Sequence, residues 1–118
     1  MLDKKVNSLR NAVAGLAIAW KEELNFRIQI GCGVVAMIAA WVLEVSLFEF
    51  LTIVFLIGFV LSAEALNTAL EEFCDMVQSN PDPHIAKIKD LAAAAVLIAS
   101  FTALVVGASI FIPHLPFP

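Results

Sequence analysis

The amino-acid sequence predicts an all-α integral membrane protein with three transmembrane helices and an amphipathic surface helix at its N-terminus. Of the 118 residues, 61% are hydrophobic and 15% are charged, whereas soluble domains carry about 45–50% apolar and about 25% charged residues. The apolar residues are concentrated in three long runs, and a helix needs about 20 such residues to cross a bilayer. We therefore predict a single membrane domain over 1–118.

The first predicted element is an amphipathic helix over 4–25. Its apolar residues recur at helical spacing and form one stripe, made of Val6, Leu9, Val13, Leu16, Ala17 and Trp20. Basic residues surround the stripe at Lys4, Lys5, Arg10 and Lys21. Such a pattern is typical of a helix that lies in the membrane interface. The alternative is an ordinary helix that faces a core, and the long span that follows at once favours the interface.

Three membrane spans are predicted at 28–48, 50–78 and 85–112. No charge appears between Ile28 and Leu43, and the second run begins at Phe50 and continues as a helix beyond the membrane. Two prolines and an Asn-Pro step interrupt the chain over 79–84, where a helix cannot continue. From Leu91 onward His114 is the one ionisable side chain. The spans are therefore separated by one short turn and one loop.

Small residues recur every four positions in the third span, at Ala95, Ala99, Ala103 and Gly107. Strips of this kind allow membrane helices to pack closely. The alternative is chance, since the whole segment is rich in alanine. We favour a packing surface.

The basic residues predict the orientation of the chain. All seven lie in the N-terminal region or just after the loop, at Lys4, Lys5, Arg10, Lys21, Arg27, Lys87 and Lys89. Neither the turn between Glu44 and Glu49 nor the C-terminus carries one. Because basic residues favour the cytoplasmic side, the N-terminus and the 78–90 region are predicted to be cytoplasmic. The two crossings between them agree with that assignment.

One row of polar side chains interrupts the second span. At about 100° per residue, Glu64, Asn67, Glu71 and Asp75 fall within an arc of roughly 80° on one helix face. Carboxylates inside a membrane helix are costly and by default indicate function. The alternative for Glu64 is a structural carboxylate that hydrogen-bonds to a neighbouring helix.

These residue types point towards phosphoryl transfer. Carboxylates are hard ligands that suit Mg²⁺, which usually also binds substrate phosphates and water. Lys89 lies close by in the predicted topology and can neutralise phosphate charge, and a glutamate free of metal can take the proton of a hydroxyl. A site at the interface implies one water-soluble and one lipid-borne substrate. No basic patch indicates nucleic acid, and no glycine-rich phosphate-binding loop is present.

Three segments carry a resemblance to a known family. The stretch 64–75, with Glu, Asn, Glu and Asp at successive spacings of three, four and four, resembles the signature of the prokaryotic diacylglycerol kinase and undecaprenol kinase family. The stretch 19–27 resembles the segment before that family's first span. The stretch 86–97 resembles its Lys-Asp opening of the third span. The similarity extends over nearly the whole chain.

The resemblance implies a role for each matching residue. Glu64 matches the general base on the lipid hydroxyl, and Glu23 and Glu71 match glutamates that hold the metal at the ATP site. The other ATP-site matches are Asn67, Asp75, Lys89 and Asp90, and Arg10 loosely matches an arginine near the lipid or phosphate. Where some members carry an acidic residue, this chain has Gln29, so the supporting contact of that acid to nucleotide or metal does not carry over. The resemblance also implies a homotrimer with active sites between subunits, in a prokaryotic plasma membrane.

The resemblance implies a lipid kinase that transfers the γ-phosphate of MgATP to a membrane alcohol. The product is phosphatidic acid from diacylglycerol or undecaprenyl phosphate from undecaprenol, and the motif does not separate these acceptors. Two alternatives come from other classes. One is a small transport or proton-relay oligomer that uses Glu64 as a titrating group. The other is a structural packing module or inactive relative, and the many polar residues at one interface count against it.

Overall fold

The computed structural model describes residues 1–78 and 80–117. The described residues form four α-helices, α1 (Leu2–Glu22), α2 (Leu24–Val42), α3 (Leu47–Val77) and α4 (Pro83–Phe111), and a short 3-10 helix (Ile112–His114). Over these two ranges no strand is present. The predicted all-α class is therefore confirmed.

Helices α2, α3 and α4 are each long and apolar enough to cross a membrane. With 19 residues, α2 is about 28 Å long, close to the roughly 30 Å of a bilayer's hydrocarbon core. The 31 residues of α3 span about 46 Å, so this helix extends well beyond one face of that core. Three candidate membrane-spanning helices are thus confirmed.

The junction of α1 and α2 lies earlier than the sequence pattern indicated. Helix α1 ends at Glu22 rather than at 25, because Glu23 has an extended backbone with φ −114° and ψ 107°. The Arg27 guanidinium donates from Nη1 to the carbonyl oxygens of Trp20 at 2.7 Å and Lys21 at 3.2 Å. These carbonyls belong to the last turn of α1, where carbonyl groups lack N–H partners within the helix. The chain therefore bends at Glu23, and α2 begins at Leu24 instead of at 28.

The turn between α2 and α3 also differs from its predicted position. Helix α2 ends at Val42 rather than continuing to 48, and Glu44 adopts a positive φ of 54°. The Ser46 side chain accepts a hydrogen bond from the backbone N–H of Glu49, whose carboxylate accepts one from the Ser46 N–H. This capping box starts α3 at Leu47. Glu49 therefore lies in the first turn of α3 and not in the connection.

The connection from α3 to α4 ends in a second well-defined cap. The Asp82 carboxylate accepts hydrogen bonds from the backbone N–H groups of His84 and Ile85. Pro83 occupies the first helical position, where its missing N–H leaves no partner unsatisfied. As a result α4 begins at Pro83 rather than at 85. Ser79, in the predicted loop, and Pro118 lie outside the described residues.

One face of α2 is buried, and Gly33 on that face lies against α3. The buried residues of α2 are Phe26, Gly33 and Ala40, and their spacing of seven keeps them on one helix face. A Cβ added at Gly33 would lie 3.1 Å from Ile57 Cγ2 of α3. The Ile57 side chain can pack directly on α2 here because Gly33 has no side chain.

Helix α4 packs mainly against α3, but not along the whole predicted strip of small residues. Ala99 is fully buried and Ala103 and Gly107 are half-buried, whereas Ala95 is exposed. A step of four residues advances about 400° around a helix, so such a strip drifts by roughly 40° per step. All four residues therefore cannot face α3 in one protomer.

A polar pair joins two helices at the end of the molecule remote from Glu64. His114 Nε2, just after α4, lies 3.1 Å from Glu49 Oε1 in the first turn of α3. A core cluster of Ala40, Ile53 and Ile110 lies at this end of the three spans. The pair and the cluster hold the ends of α2, α3 and α4 together, and the sequence pattern did not predict the pair.

Candidate functional site

Most of the ionisable and amide side chains of the three spans collect at the end opposite the pair of Glu49 with His114. They come from the start of α2, the C-terminal half of α3 and the first turns of α4, which adjoin because successive spans run in opposite directions. The residues predicted for the site here are Glu23, Glu64, Asn67, Glu71, Asp75, Lys89 and Asp90. Their contacts divide them into a connected set and one isolated residue.

Glu64 lies at the centre of this end. It is 3% exposed, and among the described residues it is the charged side chain that is buried. Gln29 of α2 donates an amide hydrogen bond from Nε2 to Glu64 Oε2 across 3.5 Å. The carboxylates of Glu23 and Glu71 are close enough to repel that of Glu64. Because a buried charge is costly unless it is compensated, a cation bound nearby or a proton taken up by the carboxylate would stabilise Glu64 in this position.

Asn67 and Glu71 form the next turn of the same face. Asn67 Nδ2 donates to Glu71 Oε1 across 3.4 Å, an i to i+4 contact along α3. Within the described part of the chain the buried Asn67 Oδ1 has no hydrogen-bond partner. An unsatisfied buried acceptor costs about 1–3 kcal/mol. The oxygens of Asn67 and Glu71 are thus available to a cation or a donor from a ligand.

Lys89 joins α4 to the acidic face of α3. Its Nζ lies 2.5 Å from Asp75 Oδ1, and the two side chains are partly exposed. The Lys89 ammonium also interacts attractively with the Glu71 carboxylate. A cation therefore faces the outer end of the carboxylate row, where an anionic group can approach from water.

The backbone of Glu23 is held at the α1–α2 junction. Its N–H donates to the Ala19 carbonyl at 3.0 Å, and its own carbonyl accepts from the Arg27 N–H at 3.3 Å. The half-buried Glu23 side chain is thereby brought towards Glu64 by two helix ends rather than by a flexible loop. Arg27 supports this geometry through its contacts with the last turn of α1.

Two predicted site residues are not brought into the connected set. Asp90 is exposed in α4, and Arg10 is exposed on α1. Over residues 1–78 and 80–117 neither side chain makes a hydrogen bond or an ion pair with the others. Their roles towards nucleotide, lipid or phosphate stay predictions that this protomer's contacts do not support.

The side-chain oxygens at this end are candidate ligands for a metal ion. Within the described ranges, no three His, Cys, Asp or Glu side chains are close enough to hold a metal ion together. Mg²⁺, however, is usually bound by one or two carboxylates together with substrate phosphates and water. The Glu23 and Glu71 carboxylates and the free Asn67 oxygen fit a cation that arrives with a phosphate ligand. They do not form a complete protein cage.

The contact between Gln29 and Glu64 was missed from the sequence. Gln29 entered only as a departure from the family pattern, with no partner assigned. A usable signal was present, because Gln29 is the one amide or charged residue between Ile28 and Leu43. Antiparallel spans bring the start of α2 beside the C-terminal half of α3, where Glu64 is likewise a polar residue in an apolar setting.

Comparison with known proteins agrees with this geometry. The family described as prokaryotic diacylglycerol kinase matches residues 10–111. An undecaprenol kinase from Bacillus subtilis is 31% identical over 114 residues, which cover 97% of this chain and 93% of the relative. A diacylglycerol kinase from a Synechocystis species is 37% identical over 109 residues, which cover 92% of this chain and 62% of that relative.

The matched region includes the C-terminal part of α1, the three candidate spans and every contact of the connected set. One relative is named an undecaprenol kinase and the other a diacylglycerol kinase, which favours a lipid kinase over a transport or proton-relay oligomer. The buried glutamate with its acidic neighbours lies inside this region. The chain belongs to the prokaryotic diacylglycerol kinase family.

Proposed function

We propose that this protein transfers the γ-phosphate of MgATP to the hydroxyl group of a membrane lipid, either diacylglycerol or undecaprenol. The observation that carries the proposal is the position of Glu64. Its carboxylate is buried within a candidate membrane span, yet it lies beside Glu23 and Glu71, at the end of the molecule where Lys89 faces water. A lipid alcohol and a soluble nucleotide can meet only at such a boundary.

In the proposed reaction the alcohol oxygen attacks the γ-phosphorus of ATP. A P–O bond forms to the alcohol, the bond between the γ-phosphorus and the bridging oxygen breaks, and ADP leaves with that electron pair. Glu64 takes the hydroxyl proton as general base, a role that typically contributes about 10²–10⁴-fold in rate. Lys89 attracts the phosphates, and Asn67 and Glu71 provide oxygens for the cation that accompanies them.

Mg²⁺, when bound with the nucleotide, supplies positive charge that offsets the negative charge of the transferring phosphoryl group. Glu23 and Glu71 are the residues proposed to hold it. The backbone of Glu23 is fixed at a helix junction, and the Glu71 carboxylate is held by its contact with Asn67 before the ligand arrives.

The proposal includes an assembly and an orientation. We infer that α1 lies in the cytoplasmic membrane interface, since its apolar side chains are exposed in the protomer, Leu9 by 67% and Val13 by 57%. We also infer a homotrimer in the prokaryotic plasma membrane, in line with the family resemblance. In such an assembly a neighbouring subunit can bring Arg10 or Asp90 to a site that one protomer does not complete.

The test of the proposed function is direct phosphorylation of each lipid. Purified protein in mixed micelles receives Mg²⁺ and ATP labelled at the γ-phosphate, together with diacylglycerol or undecaprenol. We expect label in phosphatidic acid or in undecaprenyl phosphate, and no transfer once the divalent cation is chelated. Failure to label either lipid, by protein that is folded and binds MgATP, would contradict the proposal.

A matched pair of variants on α3 tests the proposed base. Glu64→Gln keeps the shape of the side chain but removes the proton acceptor, so kcat should fall by about 10²–10⁴-fold while ATP still binds. Glu72→Gln is the control, because Glu72 is exposed one residue after Glu71. Equal turnover of the two variants would show that Glu64 is not the base.

A further inference from the structure

Gln29 lies between the buried carboxylate and an apolar cavity. Its Nε2 donates to Glu64 Oε2 across 3.5 Å. The same side chain lines a cavity of about 500 Å³ between α2, α3 and α4, together with apolar residues such as Gly33, Ile57 and Gly107. The amide therefore stands where hydrocarbon-lined space meets the carboxylate that is proposed to act as base.

Packing of α2 on α3 does not account for this amide. In the described part of the chain the Gln29 Oε1 atom is buried and has no hydrogen-bond partner. Leaving a buried acceptor unpaired costs about 1–3 kcal/mol, whereas an apolar side chain of the same size has no such cost. If this side chain served packing alone, the protein would be more stable with methionine or leucine at position 29.

We propose that Gln29 is a positioning residue for phosphoryl transfer, one that holds the Glu64 carboxylate so that its other oxygen faces the acceptor alcohol. This inference rests on the proposed function. A general base must lie about 2.6–3.2 Å from the proton that it takes. A glutamate side chain has several rotatable bonds, and a hydrogen bond to Oε2 fixes the carboxylate plane and leaves Oε1 for the substrate.

The absence of charge on Gln29 matters as much as the length of its side chain. Glu64 already faces two like charges, Glu23 from the α1–α2 junction and Glu71 on α3, while α4 brings Lys89 near Glu71. A neutral amide donates a hydrogen bond without adding a third negative charge. A carboxyl group in its place can donate only while it carries a proton, and once ionised it would repel the Glu64 carboxylate.

The first experiment removes the donor and keeps the volume. Gln29→Met should lower kcat by about 10- to 100-fold, the range expected for a lost hydrogen bond to a charged group, with the KM for ATP unchanged. Gln78→Met is the control, since Gln78 is exposed at the C-terminal end of α3 and should retain full activity. Thermal unfolding in detergent shows whether both variants fold as the wild type does.

The second experiment uses a donor that can be switched off by pH. In Gln29→Glu, a protonated carboxyl can replace the amide, so the ratio of its kcat to that of the wild type should fall as pH rises from about 6 to 8.5. The ratio removes the pH effects that the two proteins share. For Gln29→Met the ratio should stay level across the same pH range.

The outcomes separate this inference from the proposed function. If the wild type phosphorylates neither lipid, the proposed function is lost and the inference goes with it. If the wild type is active and Gln29→Met matches it in kcat, only the positioning role is overturned. A pH-independent ratio for Gln29→Glu also overturns it, whether or not Gln29→Met folds, because a purely structural role does not depend on the protonation of the new carboxyl group.

Discussion

Lys89 makes the contact that joins α4 to the carboxylate face of α3, through Asp75 at 2.5 Å. In the absence of nucleotide the ammonium is thus held by a partly exposed carboxylate, an interaction that water and salt screen strongly. A phosphate group with more negative charge can draw the ammonium away from Asp75. The ion pair holds Lys89 near the place where the phosphates of ATP are proposed to bind.

A neighbouring lysine provides the control for this role. Lys89→Met should lower kcat/KM for ATP by about 10- to 100-fold, the range for one charged hydrogen bond, while Lys87→Met should change it by less than about 2-fold. Both lysines lie in the first turns of α4, but Lys87 is exposed and makes no ion pair within the described residues. Initial rates over a range of ATP concentrations would measure this, and equal losses in the two variants would contradict a specific role of Lys89 in binding the phosphates.

At the residue scale, helical periodicity predicted which residues of the candidate site on α3 lie together. Glu64, Asn67 and Glu71 share a face because their spacings of three and four follow the helix repeat, and a helix repeat needs no knowledge of tertiary structure. The contact of Gln29 with Glu64 depends on the rotation of α2 relative to α3. That rotation depends on the packing of Gly33 against Ile57, and such a contact between two helices cannot be predicted from the spacing of residues within either one.

At the scale of the helices, the contact of α2 with α3 depends on Gly33. A Cβ at this position would lie 3.1 Å from Ile57 Cγ2, whereas a Cβ at Gly31 would meet nothing within 4 Å. Gly33→Val should therefore destabilise the protein by about 1–3 kcal/mol through overpacking. Gly31→Val should be neutral or slightly stabilising, because glycine is a poor helix former.

Thermal unfolding in detergent would measure the two glycine variants side by side. Gly33→Val should also lower turnover, because separation of the helices moves Gln29 away from Glu64 while each side chain remains intact. Gly31→Val should keep the activity of the wild type. A Gly33→Val protein as stable and active as Gly31→Val would show that this close approach does not set the geometry of the site.

The helix boundaries show why elements were predicted better than their ends. Long apolar runs identified three spans, because the bilayer sets their minimum length. The ends depend instead on single side chains: Arg27 closes α1, and Ser46 with Glu49 opens α3. Which groups pair in these short polar segments depends on the three-dimensional structure and cannot be read from hydrophobicity. The predicted first span was therefore extended to 48, across the turn that follows Val42.

At the scale of the whole molecule, polar groups are divided between two ends. One end carries Glu64 and its neighbours, and the other carries the pair of His114 with Glu49. Basic residues lie only at the first end, from Lys4 through Arg27 and at Lys87 and Lys89. Sequence alone could predict this division, because it follows from the number of spans and the distribution of lysine and arginine.

The orientation can be measured with single cysteines in a background that lacks Cys32 and Cys74. Asn80→Cys marks the connection before α4, and Phe117→Cys marks the C-terminal segment, where Phe117 is 76% exposed. Added to intact cells, a membrane-impermeant maleimide should label Phe117→Cys, and it should label Asn80→Cys only after the membrane is opened. The cysteine-free background must first retain lipid kinase activity.

The labelling pattern also bears on the chemistry, because ATP is supplied from the cytoplasm. Glu64, Asn67 and Glu71 lie at the same end of α3 as the connection marked by Asn80. If Asn80→Cys reacted in intact cells and Phe117→Cys did not, this end would face the outside and the nucleotide would not reach Lys89. We expect labelling of Phe117→Cys and not of Asn80→Cys in intact cells. The carboxylates would then be open to MgATP from the cytoplasm, and the lipid alcohol would reach them from the bilayer around the three apolar helices.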